Sequence, residues 1–168
     1  MIKEIEYLSK DFEEVLLIYN EAFPTNEQMD LPWLFTKLKK GKILGYYQNN
    51  QLLGFTIICQ HQNILNILYL AVNKEYRNQG IGSKIINYLT DNYDNYQLIL
   101  DIEEIKEVEN KQQRIKRKQF YLSNGFKESE VKYTWQNEEY VVLHKNGILT
   151  EEIFWNFWET LKNENTKT

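Results

Sequence analysis

The sequence predicts a mixed α/β (α+β) fold, with about seven strands flanked by helices and an extra helix near the C-terminal end. Three observations predict it. Strand-like and helix-like stretches follow the order strand, two helices, three strands, helix, strand, helix, two strands, helix. Residues 64–72 form a nearly continuous apolar run, which suits a strand covered on both faces. Directly after it, a glycine-bearing loop at residues 77–82 opens a helix whose apolar positions Ile81, Ile85, Ile86 and Leu89 recur at helical spacing.

Residues 2–7 alternate apolar and polar, as a short strand does. Ser9 is placed to cap a helix in which Phe12, Val15, Leu16, Tyr19, Ala22 and Phe23 recur, and Pro24 ends it. Residues 26–40 suggest a second, shorter helix carrying Pro32. Residues 42–47 and 52–60 read as a hairpin around the turn Gln48-Asn49-Asn50-Gln51. Residues 96–102 are a further apolar strand, and 103–110 a charged connection. A helix over 111–124 follows, with Gly125 at its C-cap. Residues 131–136 and 140–144 suit a closing hairpin around Asn137 and Glu138. The last helix starts at the cap Thr150, where Glu151 and Glu152 complement its positive end. Residues 163–168 read as a frayed tail.

At 168 residues the chain is expected to be one domain over residues 1–148, plus an aromatic helix and tail over 149–168. A formal net charge of -4 argues against general nucleic-acid binding, which needs a basic surface. No apolar run approaches the roughly 18 residues of a membrane span, and the first residues lack the basic-then-apolar pattern of a secretion signal. Neither a nucleic acid nor a membrane is therefore expected as partner, and a cytoplasmic location is expected by default. The single cysteine, Cys59, lies in an apolar run and is expected to be buried and inert. His61 and His144 have no partner at metal-ligand spacing, so no metal is expected.

The segment from Arg77 to Ser83 carries the most specific chemistry. A strand runs into a loop that delivers Gly80 and Gly82 to the start of a helix. The first turn of a helix has unpaired N–H groups and a positive dipole end, which together hold a phosphate. Glycine lets that backbone come close to the anion, Arg77 adds a charge-assisted contact, and Ser83 adds a hydroxyl. The pattern is a pyrophosphate cradle. It is not a P-loop, because Lys84 follows Ser83 in the wrong order, and no third glycine completes a dinucleotide fingerprint.

In Arg77-Asn78-Gln79-Gly80-Ile81-Gly82 the chain resembles the GNAT superfamily of acyl-CoA-dependent N-acetyltransferases, whose signature is Arg/Gln-x-x-Gly-x-Gly/Ala. A second phrase of that family, aromatic-Tyr-x-x-x-Gly-Phe, stands here as Phe120-Tyr121-Leu-Ser-Asn-Gly125-Phe126. The resemblance covers roughly residues 2–144. It implies a sheet splayed open between the strands at 64–72 and 96–102. Acetyl-CoA would be the co-substrate, its pantetheine along Leu70, Ala71 and Val72 and its pyrophosphate on Arg77 and on Asn78 to Ser83, Ile81 included. It also implies that Tyr121 protonates the departing thiolate and that Asp101 serves as base through water. Asp101 and Glu103 alternate with apolar neighbours, so both carboxylates share one face, and either is a candidate base. Arg114 and Arg117, at helical spacing behind Tyr121, are expected to make its phenol more acidic.

The run from Lys111 to Lys118 holds five cations, read as a solvated face balanced by Glu103, Glu104, Glu107 and Glu109. Glu27, Asp30, Trp33, Phe35 and Tyr133 offer carboxylates and aromatic faces suited to an ammonium-bearing ligand. In the last helix Ile153, Phe154, Phe157, Trp158 and Leu161 form a stripe flanked by Trp155, which packs on the domain or makes a dimer contact. The expected activity is direct acetyl transfer to a primary amine of a small molecule or peptide, by a monomer or homodimer. The alternative is a module that binds acetyl-CoA without turnover.

Overall fold

The computed structural model of the chain describes residues 1–166. These fall into two compact units, residues 1–61 with 65–94, and residues 62–64 with those from 95 onward. The fold class is the expected one, with seven strands and four α-helices in a mixed α/β arrangement among the described residues.

In the first unit β1 (Ile2–Ile5), β2 (Gly41–Gln48), β3 (Gln51–His61) and β4 (Ile64–Val72) lie in that order. β2 pairs antiparallel with β1 and β3, so Ile43 stands opposite Ile5 on one side and Ile57 on the other. The hairpin between β2 and β3 is tighter than predicted. Gln48 pairs with Gln51, leaving only Asn49 and Asn50 in the turn, at φ 51° and 64°. Positive φ at both positions is the two-residue turn whose twist matches the flanking strands, and asparagine tolerates it.

α1 (Lys10–Ala22) starts where predicted, with the Phe12 N–H donating to Ser9 Oγ at 3.3 Å, and buries Phe12, Val15, Ile18 and Tyr19. The helix expected over 26–40 is replaced by two short pieces, a turn at Thr25–Glu27 and a wide turn of π geometry at Trp33–Leu38. Local hydrogen bonds explain the change. Asp30 Oδ1 accepts from the Trp33 N–H at 3.0 Å, restarting the chain at Pro32. Thr36 Oγ1 then donates to the Pro32 carbonyl at 2.6 Å, competing for the acceptor that an α-helical amide would use.

α2 (Ile81–Asn92) buries Ile81, Ile85, Ile86 and Leu89, the four positions its sequence periodicity marks, and packs against β3. Gly54 on β3 makes that packing close. A Cβ there would stand 2.9 Å from the Ala71 carbonyl oxygen of β4 and 3.4 Å from Ile81 Cγ2.

In the second unit β5 (Gln97–Glu103), β6 (Lys127–Trp135) and β7 (Glu138–Lys145) lie in the order β5-β7-β6, all pairs antiparallel. β6 begins earlier than predicted because its register breaks between Glu128 and Lys132. At the break Ser129 Oγ donates to the Val142 carbonyl at 2.7 Å and accepts from the Val131 N–H at 3.1 Å. Gln136 and Asn137, at φ 49° and 63°, form a second two-residue turn, one position before the predicted one.

α3 (Lys111–Ser123) ends as its sequence predicts. Gly125 takes φ 93°, its N–H donates to the Leu122 carbonyl, and the Phe126 N–H donates to the Tyr121 carbonyl, both at 3.1 Å. This is the paired closure of a Schellman end, and the accompanying apolar contact is Tyr121 against Phe126, ring centroids 5.7 Å apart. Arg114 anchors the helix. Its Nε donates to Asn110 Oδ1 at 3.0 Å, and Nη1 donates to the Glu104 carbonyl at 2.8 Å and to Glu138 Oε1 at 2.9 Å. Nη2 lies 2.6 Å from Glu103 Oε2, and Arg117 Nη1 donates to Glu103 Oε1 at 3.2 Å. Arg114 and Glu103 are both buried.

α4 (Glu151–Thr166) starts at Thr150, whose Oγ1 accepts from the Ile153 N–H at 3.2 Å. Phe154, Phe157 and Leu161 are buried and the helix packs against β6, while Ile153 and Trp155 are exposed. The tail expected over 163–168 is helical as far as Thr166, and 167–168 lie outside the described residues.

Gly54→Ala is expected to cost about 1–3 kcal/mol, because neither a carbonyl nor a packed helix yields easily to a new methyl; a lower urea midpoint at unchanged slope would show it. Arg114→Ala removes the shared partner of Glu103 and Glu138, leaving the buried Glu103 with Arg117 alone, and is expected to cost about 3–5 kcal/mol, measured the same way.

Candidate active site

In the first unit, β4 leads into the glycine-bearing loop that the sequence suggests as a cradle. The Asn73 N–H donates to the Leu53 carbonyl at 2.8 Å, and Asn73 Oδ1 accepts from the Glu75 N–H at 3.0 Å to start a single turn at Lys74–Tyr76. Asn78 and then Gly80 take left-handed φ of 64° and 79°, and α2 begins at once. No side chain caps this helix. Its first internal bond runs from the Lys84 N–H to the Gly80 carbonyl at 3.0 Å, which leaves the amides of Ile81, Gly82 and Ser83 for an outside acceptor. Nothing lies within 4 Å of where a Gly80 Cβ would be, so the approach is open. Three bare amides at the positive end of a helix suit an anion.

Arg77 braces this loop. Its Nε donates to the Val72 carbonyl at 3.1 Å and its Nη2 to Glu21 Oε2 of α1 at 2.6 Å. The Val72 carbonyl, one of the groups expected to meet pantetheine, thus already holds one hydrogen bond. Leu70 and Val72 are partly buried and pack beside Ile81 and Ile85, and Ala71 is buried. The sequence reading missed Tyr46 on β2. Its hydroxyl accepts from Gln48 Nε2 at 3.0 Å and from Lys84 Nζ, in the first turn of α2, at 3.4 Å. These donors, Gln48 foremost, hold the phenol below its ordinary range. No local pattern links a strand tyrosine to a lysine so far along the chain.

Glu27, Asp30 and Trp33 also lie in the first unit. Tyr69 on β4 holds their segment: it accepts from the Met29 N–H at 2.7 Å and donates to the Glu27 carbonyl at 3.0 Å. Asp30 is engaged in capping Trp33, and Phe35 stacks on Tyr7 with centroids 4.6 Å apart. Cys59 is fully buried, which pushes its thiol up to about 12.

The second unit holds the candidates for proton transfer. The Asp101 and Glu103 carboxylates have different surroundings. Both Glu103 oxygens face guanidinium groups, of Arg114 and Arg117, so this carboxylate braces α3. Among the described residues no cation pairs with Asp101. Its Oδ2 accepts a hydrogen bond from the Tyr133 hydroxyl, and its Oδ1 is buried with no hydrogen-bond partner. Burial pushes the Asp101 carboxyl up to about 6, partly offset by the Tyr133 hydrogen bond. Tyr133, grouped with Glu27 and Asp30 in the sequence, is thus a partner of Asp101.

The expectation of an acidified Tyr121 is overturned. Arg117 does lower the phenol, but burial raises it further, up to about 12. Arg114, the second expected source of positive field, is committed to Glu103, Glu138, Asn110 and the Glu104 carbonyl. Most of the basic run is paired as well: Lys111 with Glu107, Arg114 and Arg117 with Glu103, and Lys118 with Glu128. Among the described residues no group of three or more His, Cys, Asp or Glu is arranged to hold a metal, and no helix is long and apolar enough to cross a membrane.

The fold has many solved counterparts. A protein from Bacteroides thetaiotaomicron described as a GNAT-family acetyltransferase superposes with a TM-score of 0.75 at 16% identity, over 96% of this chain and 95% of that one. The ribosomal-protein-S18-alanine N-acetyltransferase of Escherichia coli gives 0.64 at 17% identity, over 90% and 97%. A GNAT-family acetyltransferase of Elizabethkingia anophelis with acetyl-CoA bound gives 0.60 at 14% identity, over 88% and 97%. No curated protein matches the sequence significantly. The family model of the GNAT acetyltransferase domain matches residues 39–128, more than half of the chain and including both the cradle and Tyr121. This chain belongs to the GNAT acetyltransferase family and is an acyltransferase.

Proposed function

We propose that the protein takes acetyl-CoA as co-substrate and transfers the acetyl group directly to a primary amine of a small molecule or peptide. The uncapped first turn of α2 carries this reading. Three adjacent amides, an open approach at Gly80 and the Ser83 hydroxyl fit a diphosphate, and the coenzyme's thioester supplies the activated acetyl group. Substrate class is supported by likeness alone: the Escherichia coli counterpart is named for acetylating an alanine of a ribosomal protein.

The chain's own groups divide the remaining work. Asp101, at about 6, is mostly ionised at neutral pH and takes the proton that the amine loses on attack. Tyr121, raised to about 12, keeps its proton at neutral pH and donates it toward the departing sulfur. A free thiol has a pKa of about 8.5, so a thiolate in water would not take a proton from this phenol. A hydrogen bond from the phenol would stabilise the charge that develops on the sulfur as the C–S bond breaks.

Release of free thiol from acetyl-CoA, followed across a panel of polyamines, aminoglycosides and lysine-bearing peptides, tests the assignment. Turnover is expected with at least one amine; tight coenzyme binding with no turnover throughout would make the protein a coenzyme-binding module instead. With an active amine, Tyr121→Phe is expected to lower kcat about tenfold or more with little change in coenzyme affinity, and an unchanged kcat would remove Tyr121 from the mechanism. Gly82→Trp is expected to abolish coenzyme binding in titration calorimetry by filling the cradle.

A further inference from the structure

The aromatic helix α4 lies beyond the residues that the family model matches, yet it packs on the strand that carries Tyr133. Tyr133 stands opposite Tyr140 of β7, and the two rings stack with centroids 5.4 Å apart and planes at 18°. From α4, Phe154 stacks on Tyr133 at 5.8 Å and 26°, and Trp155 meets it edge-on at 5.7 Å and 74°. The phenol ring is therefore held by rings from two elements, and such pairings fix orientation as well as adding contact.

The direction of its hydroxyl follows from the strand order. With β7 between β6 and β5, Tyr133 spans the middle strand to donate to Asp101 Oδ2 on β5, where Asp101 is paired with Val142. One carboxylate oxygen is thereby occupied, and Oδ1 is left buried and without a partner.

We propose that Tyr133, clamped by the C-terminal helix α4, is the positioning residue that orients Asp101 and favours its ionised form, leaving Oδ1 to receive the proton lost by the attacking amine. The inference rests on the reading of Asp101 as proton acceptor given above. The step balances: the amine nitrogen forms its bond to the acetyl carbon, the proton passes to Asp101 directly or through water, and the sulfur leaves with the electron pair of the C–S bond. The titratable and charged groups around Asp101 are few. Glu103 lies two residues along β5, Tyr140 stands opposite Glu103 on β7, and Tyr133 approaches from β6. From α3, Arg114 and Arg117 are bound to Glu103 and offset its charge, while α4 places Phe154 and Trp155 against Tyr133. The Tyr133 hydroxyl bonds the Asp101 carboxylate directly.

The test titrates the Asp101 carboxyl carbon by NMR in the whole protein, with the resonance assigned from Asp101→Asn, beside the pH profile of kcat/KM for an active amine. In the wild type both should show a midpoint near pH 6, with rate rising as Asp101 deprotonates. Tyr133→Phe keeps the ring and its packing but removes the donor, so both midpoints should move up by about one pH unit, a tenfold change in proton affinity. Trp155→Ala should move both part of the way, with the unfolding midpoint little changed, because Trp155 is 46% exposed. An unmoved NMR midpoint in Tyr133→Phe overturns the proposal, and so does an NMR midpoint that moves while the rate profile stays fixed. If the NMR midpoints shift as expected but every amine is inactive, the link from α4 through Tyr133 to Asp101 is supported, and the acetyl-transfer reading fails on its own.

Discussion

A helix can offer bare N–H groups to a ligand only if something other than those groups holds its first turn in place. α2 meets this constraint through packing. Ile81, the first residue of the helix, is buried with Ile85, and the absence of a side chain at Gly54 lets that turn sit close against the sheet. The preceding loop is tied down by Arg77 to the Val72 carbonyl and Glu21, and by Asn73 to the Leu53 carbonyl, none of which draws on the amides of residues 81–83. Unsatisfied donors that would count as a defect elsewhere are held rigid here by the surrounding bonds, as the proposed diphosphate site requires.

The second unit handles polar groups in two opposite ways. Each guanidinium nitrogen of Arg114 is matched by a carboxylate, a carbonyl or an amide oxygen, so this buried charge serves as an anchor. On β5, two residues from Glu103, Asp101 is left half satisfied. Its environment raises proton affinity enough for exchange near neutral pH, whereas Glu103 is held between cations. Carboxylates with the same alternation along β5 thus receive different chemistry from their neighbours on other elements.

That difference marks the limit of what local pattern can reveal. The helical face of α2, the caps Ser9 and Thr150, the glycine end of α3 and the cradle loop were all legible, because each is decided within one turn or one strand. The π-type turn at Trp33–Leu38 was not, since a Thr36 hydroxyl rather than any apolar period decides it. The i–4 placement of Arg117 correctly indicated a field on Tyr121, but the sequence carries no measure of the burial that outweighs it. The bond from Tyr133 to Asp101 depends on β7 lying between β5 and β6, and the Tyr46 hydroxyl meets Lys84 only once β2 and α2 are folded.

The burial of Cys59 has a practical side. A colorimetric reagent that counts sulfhydryls meets none on the folded chain, since its one cysteine is enclosed and holds its proton to about 12. Colour developed during turnover then reports coenzyme alone, with no background from the enzyme. The same reagent, added during denaturation without coenzyme, becomes a clock for the opening of β3.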